Sequence, residues 1–304
     1  MPTNNPLDNL NPVQRVVIGA VIVLVGAVVA LVHQYQDRPA APAPAPPGEP
    51  GEPGTTLANR NVRFGMPAAA KTDPASADAY LIERPQYALS YNDAKRTPNW
   101  VCWNLTADDI GQTKRAAAFE PDPDLPGGFR HVTSADYNGS GFDRGHMCPS
   151  KDRSDSEANN RATFYTTNIV PQSPKCNRGG WERFEDHCRH LTGNGSELFI
   201  AAGPSGQGGT GEHGERATVG RGGAIVVPAA VWKVVLVVPE KGGAPTTAAR
   251  TLAVWMPNDQ TVTTDWKQYA VTVAEVERRT GYRFFPLVPE DVAAAIKGRP
   301  DRGP

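Results

Sequence analysis

Between Pro39 and Pro53 the chain reads PAAPAPAPPGEPGEP, with seven of its 29 prolines and no aromatic or β-branched side chain. Such a stretch has nothing to bury and prefers an extended, semi-rigid path, so any packed core must lie to one side of it. Its GEPGEPG run is far too short for a collagen helix. On the near side, Val16 to Val32 is an uncharged run of 17 residues flanked by Arg15 and by His33, Asp37 and Arg38. That exceeds the ~7 to 15 residues of a cleavable signal core and falls within the ~17 to 25 of a membrane span. The expected order is a flank at 1–15, a transmembrane signal anchor at 16–32 and a Pro/Gly-rich linker at 33–58. An anchor so placed tethers the downstream domain on the extracytoplasmic side, in the periplasm or at the cell surface. Secretion after signal cleavage is the alternative.

Beyond the linker, residues 59–297 contain no second linker and no repeat, which predicts one domain of ~240 residues and a short tail at 298–304. Strand-like runs recur at Tyr87 to Tyr91, Trp100 to Leu105, Thr163 to Val170, Leu198 to Gly203, Ala224 to Val227, Trp232 to Val238 and Leu252 to Met256. Helical periodicity is clearest over Gly179 to Thr192 and over Val271 to Thr280, the latter closed by Gly281. The pattern suits a mixed α+β core. Gly203 to Gly223 is rich in glycine but lacks the GK[ST] ending of a nucleotide loop, and reads as a surface hairpin loop. Four cysteines, Cys102, Cys148, Cys176 and Cys188, lie beyond the linker; in an exported domain an even count predicts two disulfides.

Charge narrows the partners. With 31 Lys plus Arg against 32 Asp plus Glu, the net charge is -1, which excludes a chain that grips nucleic acid through global basicity. Even Gly141 to His190, the densest polar stretch, holds eight basic against seven acidic residues. A polyanion would have to be held by a few placed groups.

That stretch begins FDRGHMCPSKDR, passes through TFYTTNIVPQSPKCN and ends RGGWERFEDHCRHL. Read as a helix entered near Asn177, the last piece sets Asn177, Trp181, Glu185 and Arg189 at i+4 steps beside an apolar stripe of Phe184, Cys188 and Leu191. Alone this could be a solvated flank with a Glu185 to Arg189 ion pair worth ~0.3 to 0.5 kcal/mol. Upstream, Gly145 between Arg144 and His146 permits an unusual backbone angle or a close approach. His146, with an ordinary pKa near 6.5, is a natural general base.

Together, DRGHM, TFYTTNIVPQ, the N-x3-W-x3-E-x3-R spacing and the later VPAAVWKVV segment resemble the DNA/RNA non-specific endonucleases with a ββα-metal finger. The similarity spans roughly Arg84 to Val288; the cyanobacterial sugar-non-specific nucleases look nearest, with endonuclease G related. The resemblance implies a central, mainly antiparallel sheet flanked by helices. It further implies an Mg2+-dependent hydrolase, with Mn2+ able to substitute, that cuts both DNA and RNA to 5′-phosphate products. It assigns His146 as general base and Asn177 as direct metal ligand, with Glu185 acting on the metal through water. Arg144 and Arg189 would clamp the phosphate, a task suited to the guanidinium fork. Arg115 matches an upstream family arginine by position, Asp143 would orient the finger or the metal's waters, and Asn168 would support the site. The expected partners are nucleic acids and, through the N-terminal helix, a membrane. A catalytically inactive nucleic-acid-binding domain on the same fold is the alternative.

Overall fold

A computed structural model describes residues 59–303, and the N-terminal anchor and linker expected at 16–58 lie outside the described residues. Among the described residues no helix is long and apolar enough to cross a membrane. The central element is a seven-stranded antiparallel sheet. It comprises β1 (Tyr80–Glu83), β2 (Ala88–Asn92), β3 (Thr97–Leu105), β6 (Glu197–Ser205), β11 (Ala230–Val238), β12 (Arg250–Pro257) and β13 (Ala270–Val271), in the order β1-β2-β3-β6-β11-β12-β13. Outside it lie three two-stranded pairs: β4 (Asp143–His146) with β5 (Ile169–Gln172), β7 (Gly209–Gly211) with β8 (Gly214–Arg216), and β9 (Thr218–Val219) with β10 (Ile225–Val226).

The long central strands are apolar on both sides because helices and loops cover both faces. Along β3, Val101, Trp103 and Leu105 point into one core, while Trp100 and Cys102 point into the other, the two-residue alternation of a strand. Helix α1 (Glu157–Ala162) joins β4 to β5, and helix α2 (Glu182–Thr192) closes the first core with Phe184, Cys188 and Leu191. Helices α3 (Val273–Thr280) and α4 (Glu290–Lys297) close the second with Val273, Val276, Val292 and Ile296. Helix α3 starts two residues later than its periodicity suggests, because the Thr272 hydroxyl caps it by accepting from the Glu275 N–H at 3.0 Å. At its other end Gly281 adopts φ +73°, as expected.

Two expectations fail. Thr163 to Val170 is not one strand: only Ile169 and Val170 belong to β5, after a tight turn at Thr166–Asn168. The cause is competition by short polar side chains, local at Thr163 and across the fold at Thr166. The Thr163 hydroxyl donates to Asn160 O at 2.7 Å and the Thr166 hydroxyl to Val132 O at 2.9 Å. The four cysteines, moreover, are free thiols, all buried. Cys102 lies in one core while Cys148, Cys176 and Cys188 lie in the other, so the sheet separates it from any partner. Burial pushes the Cys176 and Cys188 thiols up to about 12, and Cys102 and Cys148 higher still, so these side chains behave as small hydrophobes.

Candidate active site

The β4–β5 pair and the segment after it form a ββα unit on one face of the sheet. Asp143 pairs with Gln172, Gly145 with Val170 and His146 with Ile169. Gly145 is required by proximity and not by backbone angle: a Cβ there would lie 2.1 Å from Gln172 Oε1. After β5 the chain makes a helical turn, Pro174–Cys176, then a wide turn, Asn177–Trp181, broken at Gly179 (φ −107°, ψ −116°), before α2 begins. Trp181, fully buried, donates its indole N–H to His146 O at 3.3 Å, joining the helix entrance to the end of β4.

A cavity of about 250 Å3 opens at this junction, lined by Arg115, Arg144, His146, Asn177 and Glu185, together with Lys151, Arg178 and Glu182. The imidazole of His146 is 8% exposed; it packs edge-on to Phe164 at 4.8 Å and beside Phe119 at 5.3 Å. Its Nε2 is buried without a hydrogen-bond partner. Burial, followed by the positive charges of Arg115 and Lys233, lowers its pKa to about 3, so the ring is neutral at physiological pH.

Asn177 presents its oxygen for a definite reason. Its Nδ2 donates to Asp143 Oδ2 at 2.8 Å, and an ionised carboxylate can only accept, so the amide is held nitrogen toward Asp143 and oxygen away. Asp143 is in turn gripped by Arg178 through Nε at 2.8 Å and Nη2 at 2.5 Å. Arg178, 66% exposed, is a site residue that sequence reasoning missed, although its adjacency to Asn177 was the available signal.

Glu185 is buried and accepts from Lys233 Nζ at 2.9 Å. Lys233, on β11, is 1% exposed, its ammonium 4.2 Å from the Trp181 ring centroid and 5.2 Å from that of Trp103. Burial pushes the Glu185 carboxyl up, against the opposing pull of Lys233 and Arg189. Lys233 is the second residue missed: a lysine inside AVWKVVLVV reads only as part of an apolar strand.

The two remaining cavity arginines are held differently. Arg115 donates to Ser150 Oγ at 2.5 Å and stacks 4.8 Å over Phe164. Arg144 lies between Phe119 and Tyr137 and directs Nη2 to Ser134 O and Asn138 Oδ1, both at 2.7 Å. Arg189 is not brought into the cavity. One turn beyond Glu185, an i+4 residue has drifted ~40° around the helix, where Arg189 meets Asp152 Oδ1 at 2.6 Å and Asp186 Oδ1 at 2.5 Å. The expected phosphate clamp thus lacks Arg189, and the alternative Glu185 to Arg189 pair is replaced by these two. Asn168, fully buried, brackets Cys148 by accepting from its N–H at 2.9 Å and donating to its carbonyl at 2.8 Å, two residues past His146.

Comparisons with known proteins identify the family and the fold. Residues 65–291 match the DNA/RNA non-specific endonuclease family. A nuclease from Nostoc sp. is 40% identical over 240 residues, covering 78% of this chain and 84% of that protein. The mitochondrial nuclease EXOG of Xenopus laevis is 37% identical over 212 residues, 67% of this chain; the chain spans 58% of that relative. A crystal structure of an EndoG/EndoGI complex contains a chain similar in fold, with a TM-score of 0.66 at 24% identity, covering 82% of this chain and 99% of that one. With its α+β fold and a DRGH-bearing ββα unit at the cavity, the chain belongs to the DNA/RNA non-specific endonuclease family and is a hydrolase of the nuclease class.

Proposed function

We propose that the chain is an Mg2+-dependent endonuclease that hydrolyses DNA and RNA without regard to sugar or sequence, leaving 5′-phosphate ends. The observation that carries this reading is the clamped amide of Asn177, whose oxygen is free beside a neutral, unpartnered histidine and two arginines. Among the described residues no group of three or more His, Cys, Asp and Glu gathers as a metal cage. One amide oxygen with a carboxylate nearby suits Mg2+, which keeps several waters and takes the rest of its shell from substrate phosphate. Asn177 would hold the ion directly and Glu185 through water, with Mn2+ able to replace it. When bound, the ion supplies charge stabilisation for the phosphate and for the leaving 3′ oxygen.

The chain's own groups do the rest. His146 takes the proton of the attacking water. Arg115 and Arg144 grip the non-bridging oxygens, and Asp143, itself held by Arg178, keeps Asn177 in register. Recognition through phosphate carries no sequence information. Attack by water makes no use of a 2′-OH, which supports action on both sugars.

Incubating the full-length chain with plasmid DNA and structured RNA, in Mg2+ or in EDTA, tests the reading. Both substrates should be cut only with the metal, and Asn177→Ala should abolish cutting while lowering Mg2+ affinity in titration calorimetry at least tenfold. Binding without cleavage by the wild-type chain would instead leave an inactive nucleic-acid-binding domain.

The apolar run Val16 to Val32 and its Pro-rich linker support a nuclease domain tethered outside the cytoplasm. The free thiols add nothing to that reading. The native chain should stay in the membrane fraction through an alkaline carbonate wash and be digested by protease added to cells with the outer surface or periplasm opened; release by the wash would overturn the tether.

A further inference from the structure

The Gly-rich segment Gly203 to Gly223 takes no part in the chemistry above, yet it forms one wall of a second, larger hollow. A groove of about 590 Å3 runs between this segment, which contributes Arg216 and Arg221, and the opposite wall, which contributes His131, Thr133 and Asn138. Val219 joins this lining to a buried cluster that includes Val132, Tyr137 and Ile225. The walls are registered to each other and to β4. The Glu212 N–H at the hairpin turn donates to Gly141 O at 2.9 Å, two residues before Asp143, and a Cβ on Gly220 would lie 3.4 Å from Asp136.

The chemistry of the lining selects a phosphate backbone. Arg216 and Arg221 are exposed, and neither belongs to an ion pair formed among the described residues. The Asp136 carboxylate also lines the groove; it accepts from the Thr133 N–H at 2.9 Å and hydroxyl at 2.8 Å and from the Arg221 backbone N–H, and it offsets part of the Arg221 charge, leaving the lining with a net positive charge. No Phe, Tyr or Trp lines the groove to stack a base, and at Gly139 the space a Cβ would occupy is open, which lets a chain approach the backbone closely. The groove also adjoins the catalytic cavity. Arg144 lines that cavity while its Nη2 is bonded to Asn138 on the groove wall, so one hydrogen bond joins the linings of the two hollows.

We propose that this groove is a second phosphate-binding subsite, in which Arg216 and Arg221 hold the nucleic acid backbone next to the position of cleavage. The proposal rests on the nuclease reading above and deepens it: the site would favour polymers over dinucleotides, without base preference.

The test compares the full-length wild type with the Arg216→Gln/Arg221→Gln double variant in Mg2+, on a DNA strand of about thirty nucleotides and on the dinucleotide dTpdT. For the strand, KM should rise about tenfold with kcat unchanged, and the log–log salt slope of kcat/KM should become shallower by about 1 to 2. The dinucleotide constants should not move. An unchanged KM on the strand, or an equal loss on both substrates, overturns the proposal. A wild type that cuts neither substrate sinks the nuclease reading instead. Fluorescence anisotropy of the labelled strand in EDTA then decides the groove alone: a weaker Kd in the variant supports it, and an unchanged Kd overturns it.

Discussion

His146→Ala should lower kcat on plasmid DNA by about 10²- to 10⁴-fold, the usual worth of a positioned general base, while leaving substrate affinity within about twofold. The imidazole is walled by Phe164 and Phe119, and its Nε2 has no partner, so nothing in the fold depends on its hydrogen bonds. The loss should therefore fall mainly on turnover, the fold losing only the ring's packing against the two phenylalanines. A variant that retains near-wild-type kcat would remove His146 from the mechanism. The pH dependence gives a second handle. Because burial and the neighbouring cations lower the His146 pKa to about 3, the free enzyme keeps its base neutral far below pH 6.5. The acid limb of kcat/KM should accordingly lie below the ordinary histidine value. A bound phosphodiester brings negative charge against the ring and favours its protonation, so the limb of kcat should lie at higher pH than that of kcat/KM. Stability carries the same signature. Between pH 6.5 and 3 the unfolded chain binds a proton that the folded chain refuses, so stability contributed by neutral His146 is present above that window and lost as pH falls through it. Urea unfolding from pH 6.5 to pH 4.5 should show His146→Ala losing about 2 kcal/mol less than the wild type.

Much of the architecture was legible because burial on both faces writes itself as continuous apolar sequence. Trp232 to Val238 and Leu198 to Gly203 lie within β11 and β6, neighbours at the centre of the sheet. The site was legible in part. Asn177, Glu185 and His146 surround one cavity as the motif spacing suggests, although Asn177 reaches it through a broken turn and not an unbroken i+4 ladder. What escaped reading shares a physical cause. The strand β4 is only DRGH, too short and polar to show a two-residue rhythm, because its residues serve the cavity and the Gln172 contact. The segment from Thr163 carries β-branched residues that suggest a strand, but the Thr163 hydroxyl bonds back to Asn160 O and the Thr166 hydroxyl reaches Val132 O, bonds that a strand ladder would not make. The even cysteine count said nothing about which side of a sheet each thiol would face. Near-neutral charge proved compatible with a cavity lined by several cations, since Arg115, Arg144, Lys151 and Arg178 gather at one place.

Lys233→Met should destabilise the fold by about 3 to 5 kcal/mol at neutral pH, since removing one member of a buried ion pair leaves the other without its hydrogen-bonded partner, with only the more distant Arg189 charge to offset it. Methionine keeps the length and the apolar stem between Trp103 and Trp181, so packing loss is small and the effect isolates the charge. Burial already pushes the Glu185 carboxyl up with Lys233 in place; without it the carboxyl should rise further and take up a proton in the folded state. A carboxyl whose folded pKa exceeds its unfolded value costs stability as pH rises through that interval, because the unfolded chain then holds fewer protons than the folded one. The deficit of Lys233→Met relative to wild type should therefore shrink below about pH 4.5, where Glu185 is protonated in both states. Glu185→Gln offers the complementary test. In a double-mutant cycle, Lys233→Met/Glu185→Gln should be at least 1 kcal/mol less destabilised than the sum of the single changes, because the second substitution removes the charge that the first one stranded. Additivity would mean that Lys233 acts through its contacts with the two indoles and not through Glu185. Coupling, with activity lost in Lys233→Met at temperatures where it is still folded, would make Lys233 the group that keeps Glu185 ionised for its role beside Asn177.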